Sequence, residues 1–142
     1  SGWRVADLGA GSGQIALAAA RAVGEAGKVY AVEVQKDLLE RLQKEARAAR
    51  IHNIEVLWGD SERAQGTHLK TGSLDAAIAS RVIFQLDDPD GFAEETKRIL
   101  RKGGRLFVVD PSDPTPLLTR HDFSVVKKLE VGRNTYGIIF MI

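Results

Sequence analysis

A doubly wound α/β fold, a mostly parallel sheet with helices on both faces, is the class this sequence predicts, and three observations predict it. Short apolar runs alternate with segments of helical period along most of the chain. A glycine-rich turn joins the first apolar run to the first helical one. Near the end the pattern changes, with two apolar runs flanking Gly132, Arg133 and Asn134. Alternating strands and helices run parallel because each crossover helix packs back onto the sheet. The final pair reads as a β-hairpin, which adds an antiparallel edge.

The elements follow in order. Arg4 to Leu8 is a strand ending at the glycine cluster, and Gln14 to Val23, rich in Ala and Leu, is a helix. Lys28 to Val34 is a second strand after the turn at Gly24 and Gly27. Leu38, Leu39, Leu42, Ala46 and Ala49 recur at three- and four-residue steps, so Gln35 to Arg50 is an amphipathic helix. Ile54 to Trp58 is a third strand and Leu74 to Ala79 a fourth, with a polar loop between them. Pro89 to Arg101 places Phe92, Thr96, Ile99 and Leu100 on one face, a helix stopped by Gly103 and Gly104. Arg105 to Val109 is a fifth strand. Pro111 to Asp122, with its prolines, is too short for a full crossover helix. Phe123 to Val131 and Tyr136 to Ile142 form the hairpin.

Length and composition narrow the classes. A chain of 142 residues has the size of one domain, so residues 1–142 are expected to share one core. With 44% hydrophobic and 27% charged residues the composition is globular. Twenty Lys and Arg stand against 19 Asp and Glu, so net charge favours neither nucleic acid nor membrane. The absence of cysteine excludes disulfides, thiol nucleophiles and thiolate metal sites. No apolar run approaches the roughly 20 residues of a membrane helix, and a cytoplasmic location is expected.

Doubly wound sheets bind ligands at the carboxyl ends of their strands, where strand order reverses. Asp7-Leu8-Gly9-Ala10-Gly11-Ser12-Gly13 lies there, opening a helix whose first N–H groups are unpaired. The dinucleotide fingerprint needs G-x-G-x-x-G, and its third glycine is here Gln14. The spacing is instead G-x-G-x-G, with Asp7 two residues ahead. A carboxylate there repels a pyrophosphate but suits a cationic ligand, and the sulfonium and amino groups of S-adenosylmethionine meet that requirement. Glu33 ends the second strand, where a carboxylate can accept from both ribose hydroxyls of an adenosine, whichever cofactor carries it. Asp60, in Gly59-Asp60-Ser61 after the third strand, can accept from an adenine amino group. Singly, each of these has a bland reading as a turn or strand-end charge; three acids at three successive strand ends are harder to dismiss.

Five segments in this order, VADLGAGSG, KVYAVEV, EVLWGDSER, LDAAIASRVIFQLDDP and RILRKGGRLFVVD, resemble the class I methyltransferases that bind S-adenosylmethionine, closest to the ubiquinone/menaquinone and "type 11" group. The resemblance runs from Arg4 to about Asp110, and the hairpin is in keeping with it. It implies a Rossmann-like sheet of seven strands in order 3-2-1-4-5-7-6 with strand 7 antiparallel. Gly9, Gly11 and Gly13 would wrap the methionine portion of the cofactor, and Asp7 would help hold its amino end. Glu33 would bind the ribose with Val34 beside the adenine, while Asp60 and Ser61 would meet the adenine edge. Ser80 would line the methionine and reaction side of the cofactor, with Arg81 next to it. S-adenosyl-L-homocysteine would be the product. Members of the family carry helices before the first strand, which this chain lacks. The pocket is therefore expected to be open, and a second copy, a partner chain or a large acceptor such as RNA or protein to complete it.

Methyl transfer is an in-line displacement in which the cofactor supplies activation and the protein alignment and dryness. No catalytic base, methyl acceptor or metal site is identified. His52 and His68 read as structural, and so does His121, although it follows the fifth strand and could approach the pocket mouth. Arg81 could anchor an anionic acceptor or be a surface charge. Asp87, Asp88 and Asp90 cap the following helix rather than bind metal. Trp58 and Phe84 are expected as core or wall residues. Two other readings stand beside the enzyme: a binding module that has lost catalysis, and a nicotinamide dehydrogenase, which Gln14 and Asp7 disfavour.

Overall fold

The computed structural model describes residues 2–142. Its strands are β1 (Arg4–Leu8), β2 (Lys28–Glu33), β3 (Ile54–Trp58), β4 (Leu74–Ser80), β5 (Leu100–Asp110), β6 (Ser124–Leu129) and β7 (Tyr136–Met141). Its helices are α1 (Gln14–Val23), α2 (Lys36–Ala48), α3 (Pro89–Ile99) and the short α4 (Thr115–Thr119), with a 3₁₀ turn at Ile83–Gln85. The strands form one sheet in the order β3-β2-β1-β4-β5-β7-β6. Pairing is parallel from β3 through β5, whereas β7 runs antiparallel to both β5 and β6. Fold class, strand order and antiparallel seventh strand are those expected.

Two apolar layers hold the sheet. Leu8, Val32, Ala77 and Leu106 face α3 and α4, which contribute Phe92 and Leu118 to that cluster. Val5, Val29 and Ala31 face the other way and pack under Ala16 and Ala20 of α1 and Leu42 of α2. Central strands buried on both faces read as continuous apolar runs, as Val5 to Leu8 and Val29 to Val32 do. The second layer stops short: Ile78, Phe107, Ile139 and Met141 lie beyond α1 and remain half-buried. Chain order reverses between β1 and β4, which places the ligand-binding crevice at their carboxyl ends.

The structure corrects one boundary. Helix α3 ends at Ile99, and Gly103 and Gly104 lie inside β5 rather than capping the helix. The Gly72 N–H donates to the Arg98 carbonyl and Leu100 pairs with Leu74, so the chain enters the sheet before the glycines arrive. Gly103, at φ +78°, lies where the pairing of β5 with β4 shifts register. Among the described residues no helix is long and apolar enough to cross a membrane.

Candidate functional site

At the carboxyl ends of β1, β2 and β3 lies a cleft of about 320 Å³. The glycine turn forms one wall. Its entry is tied to β2 by the N–H groups of Gly9 and Ala10, which both donate to the Val32 carbonyl at 2.9 and 3.0 Å. At Gly11 the backbone is left-handed (φ +56°), and an added Cβ would have only the Gly9 carbonyl nearby, at 3.9 Å. That position is open toward the cleft, so a ligand can approach main chain there. Gly13 differs. It is also left-handed, at φ +83°, but an added Cβ would fall 2.1 Å from Leu42 Cδ1. Gly13 therefore permits α1 to pack against α2 and does not face the cleft.

Glu33 is only 7% exposed and closes the other side. Its Oε1 accepts from the Gly11 N–H at 2.9 Å, and its Oε2 accepts from the N–H groups of Val34 and Gln35 at 2.8 and 3.1 Å. The carboxylate thus pins the glycine turn to the end of β2. A carboxylate offers about four acceptor positions, so capacity for a ligand hydroxyl remains. Asp7, at the end of β1, is 2% exposed, and its Oδ2 is buried without a hydrogen-bond partner. Burial first, and the nearby Glu33 charge second, raise its carboxyl from the ordinary 3.8 to about 7. A buried acid with an unpaired oxygen is a place for a cation.

The floor comes from the loop after β3. The Asp60 N–H donates to the Gly66 carbonyl, and its Oδ1 accepts from the Glu62 N–H. Behind the loop stands Glu95 of α3. Its Oε1 accepts from the Gln65 N–H and its Oε2 from the N–H and hydroxyl of Thr67, while Arg98 donates to both oxygens. Burial works against its charge, but these partners outweigh it and hold the carboxyl below its ordinary range.

Of the ten residues singled out from the sequence, the structure brings Gly9, Gly11, Glu33, Val34, Asp60 and Ser61 together around the cleft. Asp7 and Gly13 stand behind the turn; Ser80 ends β4, and Arg81 lies beyond the cleft wall. Gln35, Leu38, Glu62, Val82, Gln85 and Leu86 also line it without having been anticipated, although the last three follow on a strand end, where such residues belong. Trp58 and Phe84, expected as core or wall residues, are corrected: at 51% and 49% exposed they are not core, and neither lines the cleft. Trp58 donates through Nε1 to the Val34 carbonyl and stacks near His68, with ring centroids 6.4 Å apart. His121 does not approach the cleft, because its ring nitrogens are bound to Asp90 and Glu94 of α3. Asp88 caps α3 by accepting from the Gly91 N–H, as expected. A hollow of about 510 Å³, beside His52 and Asn53, lies at the amino ends of the strands, away from the crevice.

Comparison with known proteins follows the same lines. Residues 1–136 match the model of a methyltransferase domain family. A protein-L-isoaspartate O-methyltransferase of Methanothrix thermoacetophila is 32% identical over 143 residues, covering 99% of this chain and 60% of that protein. A ubiquinone/menaquinone biosynthesis C-methyltransferase of Escherichia coli is 28% identical over 124 residues, 85% of this chain and 48% of that protein. The chain thus spans about half the length of these curated relatives. A SAM-dependent methyltransferase from Aquifex aeolicus has the same fold, with a TM-score of 0.90 at 24% identity over 100% of this chain and 83% of that one.

Proposed function

The chain belongs to the methyltransferase domain family, and from that premise we propose that it is an enzyme transferring a methyl group from S-adenosylmethionine to an acceptor. The observation that carries the reading is the buried, unpartnered Oδ2 of Asp7 behind an open glycine turn. Such a site fits a ligand that brings a positive amino group to Asp7 and hydroxyls to Glu33. A pyrophosphate would instead meet two acidic side chains. The cofactor supplies an activated methyl group when bound. The chain's own residues then hold and orient it: Asp7 takes the ammonium, and Gly9 and Gly11 give close approach. Glu33 accepts from the ribose, Val34 flanks the adenine, and Asp60 and Ser61 meet its polar edge. Ser80 and Arg81 stand on the side where the acceptor enters.

We place the enzyme in the cytoplasm, on a globular composition without cysteine. We further propose that a second copy or another chain covers the half-buried apolar face of β4, β5 and β7.

Calorimetry with S-adenosyl-L-homocysteine tests the proposal. Wild-type protein should bind, and Glu33→Gln, which keeps the shape but turns one acceptor oxygen into a donor, should weaken binding by ~1–3 kcal/mol, the scale of hydrogen bonds to a charged group. No binding by wild type, or equal binding by the variant, refutes the assignment of the cleft. Binding without methyl release in any cell extract would instead mark a cofactor-holding module.

A further inference from the structure

Arg81 has a geometry that neither the sheet nor the cleft wall needs. It follows Ser80 at the end of β4, and its N–H donates to the Val109 carbonyl at 2.7 Å, adding one more bond to the β4–β5 ladder. There the backbone turns left-handed, at φ +57°, a conformation that a long side chain adopts at a cost. Two contacts fix the turn. The Gln85 Nε2 donates to the Arg81 carbonyl at 3.0 Å, and the next residue, Val82, packs so tightly on the glycine turn that a Cβ at Gly9 would fall 2.9 Å from its Cγ2. Arg81 is thereby held one residue from the cleft wall, with its side chain outside.

The side chain lies on Phe84, its guanidinium carbon 5.7 Å from the ring centroid. Among the described residues Arg81 has no carboxylate partner, unlike Arg98, Arg101 and Arg120. Phe84 is itself about half exposed, yet its position is built: its N–H donates at 3.3 Å to Oδ1 of Asp110, a fully buried carboxylate whose Oδ2 also accepts from the Ser112 N–H. The rim therefore offers a fork of unpaired N–H donors laid on an uncovered aromatic face. The next residues along the chain are acidic. Asp87, Asp88 and Asp90 follow within one short segment, but Asp88 caps α3 and Asp90 pairs with Arg120 and His121, so their charge is partly neutralised and leaves the Arg81 guanidinium free to receive an anion.

We propose that Arg81 and Phe84 form the acceptor-selecting rim, and that the acceptor is a small molecule carrying one carboxylate, received by the guanidinium fork over the Phe84 ring. The inference rests on the methyltransferase reading for the identity of the bound molecule as acceptor, but the rim is preformed. It can be tested by fluorine NMR with 4-fluorobenzoate and its neutral twin 4-fluorobenzamide, each with and without S-adenosyl-L-homocysteine. The acid should bind, the amide at least tenfold more weakly. Arg81→Met should abolish that preference, while Arg81→Lys, which keeps the charge without the fork, should retain part of it. Equal binding of acid and amide, an unchanged preference in a folded Arg81→Met protein, or no binding of the acid at millimolar concentration overturns the proposal. Tighter binding of a twelve-nucleotide single-stranded RNA than of the acid also overturns it. Should Arg81→Met fail to fold, the acid-against-amide comparison on wild type decides alone. Acid binding that depends on Arg81, in a protein that does not bind S-adenosyl-L-homocysteine, would uphold the rim and sink the cofactor reading instead.

Discussion

Asp7 is where the proposed function and the stability of the fold pull against each other. Its carboxyl is raised from 3.8 to about 7, by burial first and by the Glu33 charge second. A group whose folded pKa lies above its unfolded value stabilises fully below the unfolded value, and that stability is lost as pH rises through the folded one. The unligated protein should therefore weaken progressively between pH 4 and pH 7. The gap between the two values amounts to about 4 kcal/mol when complete. At pH 5 only about 2 kcal/mol of it has been lost, because the folded protein still holds its proton there.

Asp7→Asn removes the titration. Its own packing and hydrogen-bond costs do not depend on pH, so they cancel when two pH values are compared. Relative to wild type, the variant should gain about 2 to 3 kcal/mol between pH 5 and pH 8, measured by urea unfolding at each. A difference below ~1 kcal/mol would refute the reasoning, since the carboxyl would then titrate near its ordinary value. The same proton governs binding. An ammonium can pair with Asp7 only after the proton leaves, so affinity for S-adenosyl-L-homocysteine should fall about tenfold per pH unit below 7. It should fall again at higher pH, where the ammonium of the free amino acid loses its charge. 5′-Methylthioadenosine, which lacks the amino-acid portion and its ammonium, should show no such window.

Two further perturbations separate packing from ligand contact. Gly13→Ala should cost more than Gly11→Ala: both strain a left-handed backbone, by ~1–2 kcal/mol, but only the first drives a Cβ into buried Leu42. Thermal unfolding should rank them in that order, and the reverse order would misplace the open side of the turn. Glu95→Gln should destabilise by ~2–4 kcal/mol at pH 7, because it leaves Arg98 without its carboxylate partner and turns one acceptor of the loop into a donor. Since the carboxyl of Glu95 is held below its ordinary value, that stabilisation is complete above pH ~4.5 and is lost as pH falls through the lowered value. The gap between wild type and variant should narrow toward pH 3, and a constant gap would mean that Glu95 acts by shape alone.

Much of the fold was legible because the periodicities are local. Val5 to Leu8 and Val29 to Val32 are continuous apolar runs, which only a strand buried on both faces can use, and Gly24 and Gly27 mark the turn between α1 and β2. The end of α3 was misjudged because the reason is not local: Gly72 and Leu74, more than twenty residues earlier, draw Leu100 into the sheet. The same holds for the site. Glycine spacing and strand-end acids announced the cleft, since both are properties of short segments. That Gly13 serves Leu42, that Glu33 pins Gly11, and that Glu95 supports the loop from α3 are facts of tertiary placement, which no spacing encodes.

Several departures from what stability alone would choose lie at the carboxyl edge of the sheet, although others, such as the left-handed Arg50 and Asn134, lie elsewhere. Asp7 is buried unpaired, Arg81 is left-handed without being glycine, and Phe84 and Trp58 are aromatic yet half in water. Each is unfavourable taken singly, and all but Asp7 are held by bonds from elsewhere: the Phe84 backbone by Asp110, the Arg81 carbonyl by Gln85, the Trp58 indole by the Val34 carbonyl. Strain and exposure that neighbours actively maintain are the physical mark of a surface built for a ligand. Their order across the sheet divides the labour. The buried acid lies at β1, the adenosine contacts proposed above at β2 and β3, and the unpaired cation after β4. A cofactor that brings its ammonium to Asp7 and an acceptor that brings a carboxylate to Arg81 would thus meet different parts of the same crevice, and like charge would keep the acceptor's carboxylate from Asp7.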